Sequence, residues 1–251
     1  MTNRPYVLTI AGFDPSGGAG ILADIKTFEM LGAYGLAAVT SNTFQHDSEF
    51  VAVDWIPVKK VLQQLKILLE KYPVQYAKIG LIRNYSFLRA LISYLKKRRP
   101  DMQIVWDPIL RSTTGFELLN GQPANEQRFL QKLSLITPNW KEAQQLWPGF
   151  ERRLSEAGQN CPVLIKGGHR IDKPGTDLLI TPSRTIEFSG RPFGGKSKHG
   201  TGCVFSAAVT AFLARGASLD MACIEAKAYT EQFILSNPSN LGYHYHHEHK
   251  D

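Results

Sequence analysis

Apolar positions along the chain follow two rhythms that alternate almost to its end. Residues 6–11 read as a buried strand and 12–20 as a loop, and the helix expected over 21–31 places Ile21, Ile25, Phe28 and Leu31 on one face. A strand over 36–40 precedes a helix marked by Val61, Leu62, Leu65, Leu68 and Leu69, and the next strand spans 76–82. The helix over 85–97 leads to a strand over 103–107, stopped by Pro108. Further strands are expected at 133–137 and 162–166, then a hairpin of 177–180 with 185–188 around Pro182-Ser183. Two helices, 202–215 and 220–236, close the pattern, with Asp220 as the expected cap of the second.

Strands alternating with helices predict an α/β fold with a mostly parallel sheet covered on both faces. No internal repeat, low-complexity segment or linker divides the chain, so residues 1–251 are expected to form one domain. In such open sheets ligands bind outside the carboxyl ends of the strands. Function is therefore sought in the loops after positions 11, 40, 82, 106, 137 and 166, and in the stretch 190–203.

Composition narrows this only a little. Hydrophobic residues at 43% and charged residues at 20% are ordinary for a globular protein with a sizeable core. Lys and Arg number 29 against 22 Asp and Glu, a net charge of +7. The tight basic cluster, 96–99, falls at a helix end, where cations suit the dipole, so nucleic-acid binding is not expected. Three widely spaced cysteines, Cys161, Cys203 and Cys223, form no CxxC pair and indicate neither a disulfide framework nor zinc. No apolar run approaches the roughly 20 residues of a membrane span, and 6–12 lacks the marks of a signal sequence. A soluble, cytoplasmic protein is the expectation. The His-rich tail, 242–251, reads as a solvated end.

Three glycine-rich patterns compete for a phosphate. Residues 190–197 satisfy the literal P-loop spelling, but a working P-loop needs a helix opening at its Lys-Ser, and the apolar helical run here begins near Gly202. The dinucleotide-like Gly18-Ala-Gly20-Ile-Leu-Ala23 is set back from its strand, and the next strand ends in Ser41-Asn42 rather than an acid. Gly200-Thr201-Gly202-Cys203 directly precedes a helix, so its amides and the dipole point at one spot. That turn is either a phosphate cradle or a plain glycine-rich cap. Cys203 is either a thiol whose pKa the helix N-terminus lowers, fit to serve as base or nucleophile, or a small buried apolar residue. Asp107 ends a strand, and Asn139 with Glu142 share one helical face, where magnesium with one or two carboxylates would suit substrate phosphates. A capping role for Glu142 is equally open. Gln45 could read a heteroaromatic ring with its two-sided amide or be a surface glutamine, and His169 and His199 are ambiguous alone.

Six segments in order resemble one family. They are 6–35, Lys78-Ile-Gly-Leu81, Asp107-Pro-Ile109, Thr137-Pro-Asn-Trp-Lys-Glu-Ala143, Val163-Leu-Ile-Lys-Gly-Gly-His169 and Lys196-Ser-Lys-His-Gly-Thr-Gly-Cys203, and together they cover nearly the whole chain. The chain resembles hydroxymethylpyrimidine/phosphomethylpyrimidine kinases, the thiamine-biosynthesis branch of the ribokinase-like family. The resemblance implies a three-layer α/β/α sandwich, ATP and magnesium as cofactors, and a pyrimidine alcohol phosphorylated twice. It places Gly200, Thr201, Gly202 and Cys203 at an anion hole, with Cys203 where ribokinases proper carry an aspartate base. Lys196 matches a lysine facing the ATP phosphates. Lys166 and Gly168 match a segment near the nucleotide, and Asn139, Glu142 and Asp107 the metal-phosphate region. Gln45 matches the glutamine that reads the aminopyrimidine, with Gly12, Leu81 and Ile109 in the same pocket. A homodimer is implied as well. Departures from the family pattern fall at Lys198, where threonine is common, at 112–115, at His46-Asp47 and in a shortened 147–162. Pyridoxal or pyridoxine kinase activity is the alternative within this branch, and a catalytically silent vitamin-precursor-binding protein is the alternative from another class.

Overall fold

A computed structural model of the chain describes residues 4–111, 118–119, 127–150, 158–170, 172–190 and 197–245. Six strands run parallel: β1 (Tyr6–Phe13), β2 (Tyr34–Gln45), β4 (Tyr76–Ile79), β5 (Gln103–Trp106), β6 (Leu135–Ile136) and β7 (Val163–Ile165). Antiparallel strands close both edges, β3 (Phe50–Trp55) against β2, and the hairpin β8 (Asp177–Ile180) and β9 (Thr185–Phe188) against β7. The nine-stranded order is β3-β2-β1-β4-β5-β6-β7-β8-β9.

Side chains alternate across each strand, so each strand feeds two cores. Leu8, Ile10, Ala77, Ile79, Ile104 and Trp106 face one core with α2 (Val58–Lys71), α3 (Tyr85–Arg98), the short α4 (Gln127–Leu130) and α5 (Trp140–Leu146). Val7, Val105 and Leu135 face the other with α1 (Gly20–Met30), α6 (Thr201–Ala214) and α7 (Leu219–Leu235). Helices on both faces make the three-layer α/β/α sandwich expected of the fold class. β1 has β2 on one side and β4 on the other, so the order of the sheet reverses there. A crevice outside the carboxyl ends of β1 and β4 is where such sheets take ligands.

Several expectations are corrected. β2 extends to Gln45, so that residue ends a strand rather than following one. β3 carried no clear sequence signal because it is an edge strand whose positions are all exposed or half-exposed. The cap of α7 is Ser218, not Asp220: the Ser218 side chain accepts from the Met221 amide, and Asp220, already in the first turn, pairs with Arg184. The described part of the tail is solvated only in part, with Tyr243 and Tyr245 exposed. His244 Nδ1 lies 3.0 Å from the Tyr229 hydroxyl, and its ring lies tilted 5.0 Å from Phe233 on α7. Among the described residues, no helix is long and apolar enough to cross a membrane.

Candidate active site

The N-terminus of α6 sits at the crevice. Gly200 caps it in a left-handed conformation, φ 75°, and a Cβ there would lie 1.9 Å from the Gly18 carbonyl oxygen, so the turn admits only glycine. Thr201 turns back on the preceding loop, its amide and hydroxyl donating to the Lys198 carbonyl at 3.2 and 2.7 Å. The amides of Gly202 and Cys203, second and third in the helix, have no intrahelical acceptor and carry the positive end of the dipole. The helix opens at Thr201, four residues beyond Ser197, where a P-loop would need its first helical turn to carry the Lys-Ser. Lys196 itself, like most of 190–197, lies outside the described residues.

A buried carboxylate fixes this turn to the loop after β1. Asp14 Oδ2 is 2.8 Å from His199 Nε2 and accepts from the Ala19 amide at 2.8 Å, while Oδ1 accepts from the Ser16 amide at 2.9 Å. Both partners are buried, and burial opposes the Asp14 charge, but its bonds to His199 and Ser16 hold its pKa below the usual carboxylate range. His199, ambiguous in the sequence, thus braces the cap residue that follows it. Lys198 faces away from any phosphate: its buried Nζ donates to the Asn237 carbonyl at 2.7 Å and also to Ser239, pinning the segment after α7.

Against the free side of the turn stands a Lys–Asp pair. Lys166 Nζ, carried past the end of β7, donates to Asp107 Oδ1 at 2.8 Å. A Cβ on Gly202 would meet that ammonium at 3.3 Å and Asp107 Oδ2 at 3.9 Å, so glycine leaves the ammonium beside the helix amides. Ser206, one turn into α6, donates to Asp107 Oδ2 at 3.1 Å, and the Thr137 hydroxyl is 3.3 Å from Oδ1. Burial works against the Lys166 charge, but Asp107 and Glu142 attract it and raise its pKa, so it stays an ammonium. Amides, dipole and ammonium converge on one spot able to hold a dianionic phosphoryl group.

Asn139 and Glu142 form a reciprocal capping box on α5. Asn139 Oδ1 accepts from the Glu142 amide at 3.0 Å, and Glu142 Oε2 from the Asn139 amide at 2.7 Å. The Leu110 amide also bonds the Glu142 carboxylate. Burial raises this carboxyl to about 7, with Lys166 pulling it down and Asp107 pushing it up. The capping role of Glu142 is what the structure shows, and Lys166 and Asp107 lie near enough to act on its charge. Asp107 and Glu142 are two oxygen donors beside a phosphate site, the hard set that magnesium takes together with waters and phosphate oxygens. The described residues contain no cluster of three or more His, Cys, Asp or Glu side chains that would hold a metal unaided.

Cys203 overturns one expectation. A helix N-terminus lowers a thiol pKa, but this sulfur is buried, and desolvation pushes it up to about 11 despite the Lys78 ammonium and a Gly20 amide that favour its thiolate. Burial outweighs the dipole because the thiol packs into the core between α6 and the sheet.

The other end of the crevice is apolar. A Cβ on Gly12 would lie 2.9 Å from Leu81 Cδ2 and 2.7 Å from Ser41 Oγ, and one on Gly80 would lie 4.0 Å from Ile109 Cδ1. Gly12, Leu81 and Ile109 therefore gather around the ends of β1, β4 and β5. Gln45 stands further along β2, with Nε2 donating to Thr43 Oγ1 at 2.8 Å, and Thr43 in turn donates to the Phe13 carbonyl at 2.8 Å. Gly168 is exposed with open space about it. The constrained glycine is its neighbour Gly167, where a Cβ would meet the Thr176 carbonyl oxygen at 2.0 Å. Residue-by-residue reading missed Asp14, Asp24, Lys78 and Ser206. Lys78 offered a signal, a lone cation in an otherwise apolar strand.

Comparison with known proteins agrees with this geometry. The sequence model of the family described as phosphomethylpyrimidine kinase matches residues 14–249. The hydroxymethylpyrimidine/phosphomethylpyrimidine kinase of Aquifex aeolicus is 37% identical over 247 residues, covering 94% of this chain and 96% of the relative. The structure of the Staphylococcus aureus pyridoxal kinase in complex with ADP superposes with TM-score 0.80 at 29% identity, over 96% of this chain and 92% of the other. The Clostridium difficile phosphomethylpyrimidine kinase gives TM-score 0.74 at 29% identity, over 91% and 99%.

Proposed function

The chain belongs to the phosphomethylpyrimidine kinase family, and from that premise we propose that it transfers the γ-phosphoryl group of ATP to the hydroxymethyl oxygen of 4-amino-5-hydroxymethyl-2-methylpyrimidine, and then phosphorylates the monophosphate. The observation that carries this reading is the Lys166–Asp107 pair standing beside the first turn of α6, where the Gly202 and Cys203 amides have no intrahelical acceptor. Residues 1–251 are taken as one kinase domain, and a homodimer is its expected assembly.

The alcohol oxygen forms a bond to the γ-phosphorus as the bond from that phosphorus to the β-phosphate oxygen breaks, and ADP leaves. The Gly202 and Cys203 amides and Lys166 hold the charge spread over the moving group. Lys196 would add a second cation on the nucleotide side. The hydroxyl proton passes to the Cys203 sulfur. With the thiol held near 11, that sulfur is protonated at neutral pH in the resting enzyme and accepts only through its minor thiolate form. A loose phosphoryl transition state tolerates this, because the nucleophile loses its proton late. Asp107 and Glu142, with Asn139 ordering the latter, would hold magnesium, which supplies charge neutralisation on the phosphates. Gln45 would pair with the aminopyrimidine edge while Gly12, Leu81 and Ile109 receive the ring.

Mass spectrometry of protein incubated with the pyrimidine alcohol, ATP and magnesium should show the monophosphate and then the diphosphate. No phosphorylated pyrimidine at any protein concentration would end this reading. The likeness to a pyridoxal kinase supports a second reading, and the ratio of kcat/KM for the pyrimidine and for pyridoxal decides between them.

A further inference from the structure

Beneath the crevice lies a second Lys–Asp pair that binding of substrate does not use. Lys78 and Asp24 are both fully buried, with Lys78 Nζ donating to Asp24 Oδ1 at 2.5 Å and the Thr9 hydroxyl donating to Asp24 Oδ2 at 2.5 Å. Thr9 and Lys78 are directly paired across β1 and β4. Residues of that parity, such as Val7, face the layer of α1, α6 and α7, whereas the neighbours Ala77 and Ile79 face the opposite core. The ammonium therefore lies in the same layer as Cys203, the third residue of α6. Two residues on, Gly80 brings the chain to the pocket floor, and a Cβ there would be 3.6 Å from Lys78 Nζ. The charged groups bearing on the thiol are Lys78 from β4, Asp24 from α1, Asp107 after β5 and Lys166 after β7, besides the Gly20 amide.

A buried ion pair is an expensive way to fill a core, and apolar residues of similar volume would serve as well or better for stability. Its placement suggests another use. We propose that Lys78 is a positioning residue for phosphoryl transfer: its sealed ammonium supplies the counter-charge that makes the thiolate of Cys203 attainable, and Asp24 holds and partly offsets that charge. Burial opposes the Lys78 charge, but attraction from Asp24, Cys203 and Asp107 outweighs it and raises its pKa, so the cation persists while the thiol titrates. Lys78 touches no substrate and acts through the sulfur. This inference rests on the assigned role of Cys203 in the kinase reading, but its test does not require turnover.

The test is the pH dependence of iodoacetamide alkylation at Cys203, located by peptide mass mapping so that Cys161 and Cys223 do not interfere. In the Lys78→Met variant the alkylation curve should move to higher pH, with the rate at a fixed pH near 9 falling about tenfold or more. In Asp24→Asn, which removes the opposing charge, it should move to lower pH. Loss of packing alone would accelerate alkylation in both variants by opening the layer, so opposite signs identify a charge effect. Should Lys78→Met fail to fold with Asp24 orphaned, the Lys78→Met/Asp24→Asn pair removes both charges and should still shift the curve upward, because Lys78 acts on the thiol more strongly than Asp24 does. A folded variant lacking Lys78 with the wild-type curve overturns the inference. Shifted curves in a protein that phosphorylates no pyrimidine would leave the inference standing and remove the kinase reading instead.

Discussion

Two Lys–Asp pairs flank the first turn of α6, alike in chemistry and opposite in setting. Lys78–Asp24 is sealed, both side chains at 0% exposure, whereas Lys166–Asp107 opens to the crevice at 16% and 3%. Exposure decides what each can do. The open ammonium stands 3.3 Å from where a Gly202 side chain would begin and can exchange part of its attraction to Asp107 for an incoming phosphate. The sealed one cannot reach a ligand, and its field acts only on buried neighbours. On the proposed reading the same residue types serve binding in one place and tuning in the other, and only the fold separates them.

That contrast can be broken by mutation. Lys78→Met strips Asp24, whose carboxyl burial already raises, of its main counter-charge, and chemical denaturation should show a loss of about 3–5 kcal/mol. Lys166→Met should cost less stability, since Asp107 keeps Ser206 and Thr137 and borders the crevice. In steady-state kinetics it should nevertheless lower kcat by roughly 100- to 1,000-fold, the scale of losing one preorganised donor to a developing charge. Equal losses of stability in the two variants would contradict the assignment of one pair to the core and the other to the site.

The brace between Asp14 and His199 sharpens the comparison, because it is buried like the first pair and borders the turn like the second. His199→Ala should cost about 1–3 kcal/mol by leaving the Asp14 carboxylate short of a partner. It should also raise KM for ATP as the Gly200 turn loosens.

His244 gives an effect of similar size that is confined to a pH window, with a definite sign. Burial, with a smaller push from Lys26, lowers it from 6.5 to about 4, so the folded state binds fewer protons than the unfolded state between those values. Stability at this site is complete above pH 6.5 and falls as pH drops toward 4, by on the order of 1–3 kcal/mol. His244→Phe should flatten that part of the stability–pH curve measured by thermal unfolding.

Much of this was legible in the chain. Periodicity located β1, α1, α2, α3, the β8–β9 hairpin and α6 to within a few residues, because each buries a continuous apolar face. The Gly200–Cys203 turn and the Asn139/Glu142 pair were legible because local spacing alone makes a helix start and a capping box. Long-range facts were not. That Lys166 meets Asp107 across 59 positions, and His199 meets Asp14 across 185, depends on strands brought together by the sheet. Burial misled the reading of Cys203: position in the helix predicted a lowered thiol pKa, and the surrounding layer, which no local pattern shows, raised it. Lys198 taught the same lesson, since its place beside the anion turn gave no hint that its ammonium is directed into the segment after α7.

The central claim is that the open pair handles the phosphoryl group while the sealed pair acts through the thiol. Single-turnover transfer from ATP to the pyrimidine alcohol, measured together with nucleotide affinity in Lys166→Met and Lys78→Met, tests it most directly. The account predicts that Lys166→Met weakens nucleotide binding and slows transfer at every pH. It predicts that Lys78→Met binds nucleotide as the wild type does, with transfer slowed at neutral pH and recovering as pH rises. Wild-type nucleotide affinity and transfer rate in Lys166→Met would contradict it.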